Sequence, residues 1–168
     1  GGPRDMLNKL ILTRANPIAD VVYGIDNTLI AKATAAGILA PTSSKVGRTE
    51  KDAQLPGAVA VDYGYVTLNY DKAWFAKAKL PLPATLDDLA KPAYKDLLVV
   101  QNPATSSTGL AFLLATIADR GEDGAFKWWE KVRDNGLKVS KGWSEAYYTD
   151  FSRNGGSRPI VVSYATSP

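Results

Sequence analysis

Four hydroxyl side chains in a row, Thr105-Ser106-Ser107-Thr108, are the densest concentration of potential chemistry in this chain. They follow a short β-branched apolar run, Leu97 to Val100, which Asn102-Pro103 stops, and they precede Gly109 and an apolar segment of helical length ending at Gly121. The spacing predicts strand, polar loop and helix N-terminus. The first N–H groups of a helix lack intrahelical partners and sit at the positive end of its dipole, so hydroxyls there either cap the helix or surround an anion. Capping needs one hydroxyl, and both readings stand at this point. Three further loops carry similar candidates: Gly24-Ile25-Asp26-Asn27, Trp143-Ser144, and Tyr164-Ala165-Thr166-Ser167. Gly24 allows close approach of a ligand or backbone, while Asp26 is either a contact residue or a simple N-cap.

Much other chemistry is excluded. The chain has no Cys and no His, which rules out within it thiolate or imidazole zinc sites, Cys nucleophiles and Ser-His-Asp triads. There is no GxGxxG, no Gly-Lys pair of a P-loop and no Ser-x-x-Lys. The carboxylates form no spaced metal loop, and no cofactor is implied. A two-carboxylate hydrolase, for example through Asp62 and Glu145, has no support in their spacing. With 20 basic and 17 acidic residues the net charge is only +3 and scattered, so nucleic-acid binding is not indicated. At 168 residues, 45% hydrophobic and 22% charged, the composition is that of one good-sized domain or two small lobes. No run is long and apolar enough to span a membrane and no leader is visible, so a soluble, mature or trimmed chain is expected.

The elements that must position these residues alternate. Asp5 to Arg14 is apolar at helical spacing and leads into an expected strand, Ala19 to Tyr23. Thr28 to Ala36 is a second helix stopped by Gly37. Pro41 to Pro56 reads as a surface loop. Ala58 to Asn69 is a long β-rich run, in which Asp62, Tyr63 and Gly64 suggest a bend, a crossover or a ligand approach. Trp74 to Ala78 is a short amphipathic piece, and Thr85-Leu86-Asp87-Asp88 resembles a capping box. After the central strand and helix, Asp123 to Asn135 is a further helix ended by Gly136. Leu137 to Ser140 is a strand, Gly142 opens a helix to about Arg153, and Pro159 to Ser163 is the last strand. The expected fold is therefore α/β with a largely parallel sheet flanked by helices. In such sheets ligands sit beyond the strands' carboxyl ends, which is where all the candidate loops fall.

Five segments carry a resemblance: DVVYGIDN (Asp20 to Asn27), VDYGYVTLNYDK (Val61 to Lys72), QNPATSSTGLAFLL (Gln101 to Leu114), KGWSEAY (Lys141 to Tyr147) and VVSYATSP (Val161 to Pro168). Together, in this order and spacing, the chain resembles the thiamine-binding substrate-binding proteins of bacterial ABC importers. The resemblance implies a periplasmic-binding-protein-like fold of two α/β lobes around a ligand cleft, in a periplasmic or extracytoplasmic location. It makes residues 1–60 part of lobe one, 61–71 a hinge crossing and 72–168 lobe two. It also implies a fragment, lacking the first strand-helix unit of lobe one and everything after the SYATSP strand.

Carried over by motif, Gly24 and Asp26 are implied as lobe-one contacts. Ser106, Ser107 and Thr108 are implied as a cradle for a phosphate or other polar end. Trp143 and Tyr164 are implied as aromatic walls, with Ser163 and Thr166 beside them; Tyr63, Tyr147 and Tyr148 are either further contacts or packing. A thiazolium cation is attracted to aromatic faces, and Asp26 would add charge complementarity. The implied ligand is thiamine or a phosphorylated thiamine compound, and the implied partner is an ABC transporter permease. Three alternatives remain. A ferric iron or phosphate ligand is one, kept open by the tyrosine pair Tyr147-Tyr148. A small serine hydrolase using Ser106 or Ser107 is the second. The third is a folding unit whose exposed apolar surface leads to self-association.

Overall fold

The computed structural model describes residues 2–41 and 54–167. The expected loop from Pro41 to Pro56 lies for its greater part, residues 42–53, outside the described residues. The chain divides into two compact units, Gly1–Gly64 and Tyr65–Pro168.

In the first unit, α1 (Pro3–Leu12) begins with Pro at its first turn, where the missing N–H costs nothing. Its Leu7 packs with Leu29 and with Ala33 of α2 (Ile30–Ala35) in a small core joined by Ile11, Ile25, Ile38 and Leu39. The expected strand over Ala19 to Tyr23 is absent: these residues are irregular, and Val21 and Tyr23 are 85% and 66% exposed. A β-branched run becomes a strand only when a neighbour takes its ladder hydrogen bonds and covers one face, and none does so among the unit's described residues.

The second unit is a sheet of four strands, β1 (Val66–Tyr70), β2 (Leu98–Gln101), β3 (Lys138–Ser140) and β4 (Ile160–Tyr164), in the order β1-β4-β2-β3. β2 pairs in parallel with both β3 and β4, and β1 runs antiparallel to β4, with Val66 opposite Tyr164. The sheet is thus largely parallel, as the alternation of elements implied. The strand expected over Ala58 to Asn69 is confined to Val66–Tyr70, because only there does the chain find β4 as a partner.

Both faces are covered, which explains why β2 and β4 read as unbroken apolar runs. Leu98, Val100, Ile160 and Val162 point to one side and pack with Phe75, Leu89, Tyr94, Phe112, Trp128 and Val132. Val99 and Val161 point to the other and meet Ala146, Tyr147 and Phe151. The first layer is built by α3 (Lys72–Ala78) and by α4 (Ser107–Asp134), whose helical path breaks at Gly121 (φ 69°, ψ 168°), the glycine at which the sequence predicts a stop. The capping box is present: Thr85 Oγ1 accepts from Asp88 N, and Asp88 Oδ2 accepts from Thr85 N. The helix expected from Gly142 to Arg153 is instead one short turn, α5 (Trp143–Glu145), followed by a π turn over Ala146–Asp150.

Candidate functional site

At the carboxyl ends of the three parallel strands, the loops after β3 and β4 enclose a depression of about 450 Å³. Its faces are Trp143, Tyr147, Tyr148 and Tyr164, and its polar rim is Arg153, Asn154, Thr166 and Ser167. The Trp143 indole lies flat on the Tyr147 ring, centroids 4.9 Å apart and planes within 11°. Tyr148 stands edge-on to Trp143 at 5.3 Å, and Tyr164 is tilted against it at 6.5 Å. Tyr147 is 4% exposed, whereas Tyr148 and Tyr164 are 60% and 38% exposed. One ring therefore backs the wall and two offer faces to a ligand.

Hydrogen bonds behind the rings fix the indole. Trp143 Nε1 donates to Ser163 Oγ at 2.8 Å, and Ser163 Oγ and Ser167 Oγ share a hydrogen bond at 2.8 Å. The turn after β4 is held from β1, where Asn69 Nδ2 donates to the carbonyls of Tyr164 and Ser167 at 3.2 and 3.3 Å. Trp143, Tyr164 and Thr166, all implied as contacts by the resemblance, thus share one depression. Ser163 is fully buried and stands behind Trp143, so it orients the wall without facing solvent.

The hydroxyl loop does not cap its helix through Ser106, and two of its hydroxyls are taken up by buried partners. Ser106 is the N-cap of α4 yet makes no side-chain capping bond. Its Oγ pairs with Thr108 Oγ1 at 2.9 Å, Thr108 Oγ1 donates to Gln101 Oε1 at 2.7 Å, and Gln101 Nε2 donates to Val162 O at 2.8 Å. Ser106, Thr108 and Gln101 are buried, so this chain of bonds ties the loop to β4. Thr105 Oγ1 donates to Lys141 O at 2.6 Å, joining the loops after β2 and β3. Ser107 Oγ is the hydroxyl of this cluster left buried without a partner among the described residues. None of Ser106, Ser107 and Thr108 lines the aromatic depression.

The remaining candidates belong to the first unit. Gly24 has φ 106°, a conformation that favours glycine. Asp26 Oδ1 accepts from Thr28 N and Thr28 Oγ1 at 2.9 and 2.6 Å, so that oxygen closes the turn leading into α2. Tyr63 is 65% exposed. Nearby in sequence, Tyr23 Oη donates to Asp62 Oδ2 at 2.9 Å, and this bond with the carboxylate charge raises the Tyr23 phenol above its ordinary pKa.

Sequence reasoning missed Gln101, Arg153 and Asn154. Gln101 was legible only as a strand end; a polar residue closing an apolar run ahead of a hydroxyl cluster was the available signal. Arg153 and Asn154 come to the rim because the chain turns at a 3-10 helix over Ser152–Asn154 that ends in Gly155 with φ 94°. No local pattern announces that.

Two carboxylates brace this region. Burial pushes Asp150 up, but hydrogen bonds from Lys138 and Ser140 and the charges of Lys138 and Arg158 outweigh it, leaving its pKa lowered. Asp71 is likewise pushed up by burial and brought lower on balance by Ser152 Oγ, the N–H groups of Trp74 and Ala73, and the charge of Arg153. A folded-state pKa below the unfolded value contributes stability that is complete above about pH 4 and is lost as pH falls through the folded value. Chemical unfolding followed from pH 7 to pH 2 should therefore show a plateau and then an acid decline. Asp150→Asn should flatten that decline, and an unchanged acid limb would contradict the assignment.

Among the described residues no helix is long and apolar enough to cross a membrane, and no group of three or more His, Cys, Asp or Glu side chains could hold a metal ion. Residues 16–168 match the model of the family described as bacterial extracellular solute-binding protein. The chain belongs to that family. The chain is 37% identical over 97% of its length to the thiamine-binding periplasmic protein of Salmonella typhimurium, and 36% identical over 97% to that of Escherichia coli. It spans about half the length of these curated relatives, 48% of each. Among solved structures, a periplasmic thiamin binding protein superposes with a TM-score of 0.75 at 34% identity, over 99% of this chain and 51% of that one. The binding protein AfuA of Actinobacillus pleuropneumoniae superposes with a TM-score of 0.77 at 20% identity, over 97% of this chain and 53% of its own; at that identity the likeness speaks to fold alone.

Proposed function

We propose that this chain is part of the solute-binding component of an ABC importer, and that it takes thiamine or a phosphorylated thiamine compound against the Trp143 wall. The observation that carries this reading is the group of four aromatic rings around one depression at the ends of parallel strands. A delocalised thiazolium gains from the electron-rich faces of Trp and Tyr, and the pyrimidine of the same compound can stack on them. The thiamine-binding names of the relatives fit this chemistry. The motif resemblance adds Gly24, Asp26, Tyr63, Ser106, Ser107 and Thr108 as further proposed contacts, and within the hydroxyl loop Ser107 Oγ is the one without a partner among the described residues. Residues 1–60 are assigned to one lobe, 61–71 to a crossing segment and 72–168 to the second lobe. Transport follows from lobe closure presented to the membrane permease, in an extracytoplasmic setting. The role is binding rather than catalysis.

Among the described residues Arg153 is the one charged side chain lining the depression, and it favours the phosphorylated form. Its guanidinium repels a bare thiazolium and attracts a phosphate. A tryptophan-fluorescence titration with thiamine, thiamine monophosphate and ferric citrate tests the reading. Saturable quenching by the thiamine compounds is expected, with the monophosphate the tighter. Arg153→Gln should reduce that preference by about three- to tenfold, the exposed rim limiting the effect. A response to ferric citrate alone would move the assignment to iron, for which the neighbouring Tyr147 and Tyr148 rings, 5.5 Å apart, are the observation in favour. Labelling of Ser106 or Ser107 by a fluorophosphonate would instead argue for a hydrolase.

A further inference from the structure

A regular helix through Trp143 to Asp150 would close each turn with bonds four residues apart. Here Phe151 N donates to Ala146 O at 3.0 Å, five residues back, so the turn carries one extra residue. π turns are rare and are frequently found at functional sites. This one sets Tyr147 flat on Trp143 and turns Tyr148 perpendicular to both, at 86° to Trp143 and 87° to Tyr147. Such a turn needs outside constraints, and they converge on its last residue.

Asp150 is 5% exposed. Its Oδ1 accepts from Lys138 Nζ and its Oδ2 from Ser140 Oγ, each at 2.5 Å. Both donors lie on β3 two residues apart, on one face of the strand. The backbone is held as closely. Asp150 O accepts from Arg158 N at 2.9 Å, Phe151 O accepts from Gly156 N at 3.0 Å, and a Cβ on Gly156 would lie 2.1 Å from Asp150 O. Only glycine lets the two segments approach this far.

We infer that Asp150 is a positioning residue for the aromatic wall: its carboxylate, gripped by Lys138 and Ser140, holds the π turn in the register that places Tyr147 and Tyr148 against Trp143. Asp150 does not line the depression and touches no ligand there; it acts through the rings. The consequence for affinity rests on the proposed thiamine reading, whereas the consequence for the ligand-free stack does not.

The test uses Asp150→Asn, which keeps the shape and removes the charge, and Ser140→Ala, which removes a single hydrogen bond. The first readout is the near-ultraviolet circular dichroism and emission that Trp143 contributes, isolated by subtracting Trp143→Phe, recorded well below each variant's melting temperature. The second is affinity for thiamine monophosphate. Asp150→Asn is expected to remove at least half of the Trp143 signal and to weaken binding about tenfold, with smaller losses for Ser140→Ala. Lower melting temperatures with a wild-type Trp143 signal in both variants would overturn the inference, since a merely stabilising carboxylate behaves that way. Should Asp150→Asn not fold, Ser140→Ala decides: a partial loss of signal supports the clamp, and an unchanged signal overturns it. If the wild-type protein binds no thiamine compound, the ligand assignment falls while the spectroscopic result still decides the clamp.

Discussion

Replacing Trp143 with alanine is expected to weaken binding of a thiamine compound by about tenfold to a hundredfold. The indole is the centre of the wall, in ring contact with Tyr147, Tyr148 and Tyr164. A partly desolvated cation over such a face gains about 1–2 kcal/mol and ring stacking about 0.5–1.5 kcal/mol, and each 1.4 kcal/mol is a factor of about ten. The fold should survive the change, because Trp143 is only partly buried at the edge of its cluster. Ser163 Oγ keeps its bond to Ser167 when the indole is gone. Trp143→Phe should fall between, retaining a ring but losing the Nε1–H bond to Ser163. Calorimetric titration of the three proteins, with circular dichroism as a control for folding, checks this. A less than threefold loss in Trp143→Ala would mean that the ligand does not rest on this wall.

Trp128→Ala should do the reverse, costing stability while leaving the wall's chemistry alone. Trp128 is 2% exposed, and its Nε1 donates to Leu86 O at 2.8 Å. Its ring meets Trp129 edge-on at 5.0 Å and Phe112 at 6.2 Å. Truncating a buried aromatic costs about 3–5 kcal/mol through lost transfer energy and the cavity left behind, and here it also removes the indole's hydrogen bond to Leu86 O. Against a typical total of about 5–15 kcal/mol for a domain, that is a major fraction. Urea denaturation should show a midpoint shift of that size, and a loss below about 1 kcal/mol would show that the core relaxes into the space.

The contrast between the two tryptophans describes how this unit separates its tasks. The face of the sheet covered by α3 and α4 is a large apolar core in which polar atoms are few and paired. The opposite face is thinner, and the layer over it is the π turn that carries the wall. A depression built on such a layer depends on hydrogen bonds more than on apolar area, as the Asn69, Ser163 and Asp150 contacts illustrate. Removing one of these should alter the shape of the site before it unfolds the unit.

The sequence by itself determined the alternating α/β order, the break at Gly121, the capping box at Thr85 to Asp88 and the aromatic character of the loops holding Trp143 and Tyr164. It also carried the family, through segments whose order survives in the match over residues 16–168. Each of these local features depends on a few neighbouring residues: a glycine's freedom, a side chain reaching three positions along, an apolar period. Only the tertiary structure decided that Ala19 to Tyr23 is irregular while Val66–Tyr70 is a strand, since the second finds β4 nearly a hundred positions later. It likewise decided that Thr108 spends its hydroxyl on Gln101, and that the chain after Trp143 widens into a π turn held by Lys138 and Ser140. Strand pairing and buried hydrogen bonds are set by whichever groups folding brings together, and a buried polar group must take the partner it finds there. Distance along the chain does not encode that choice.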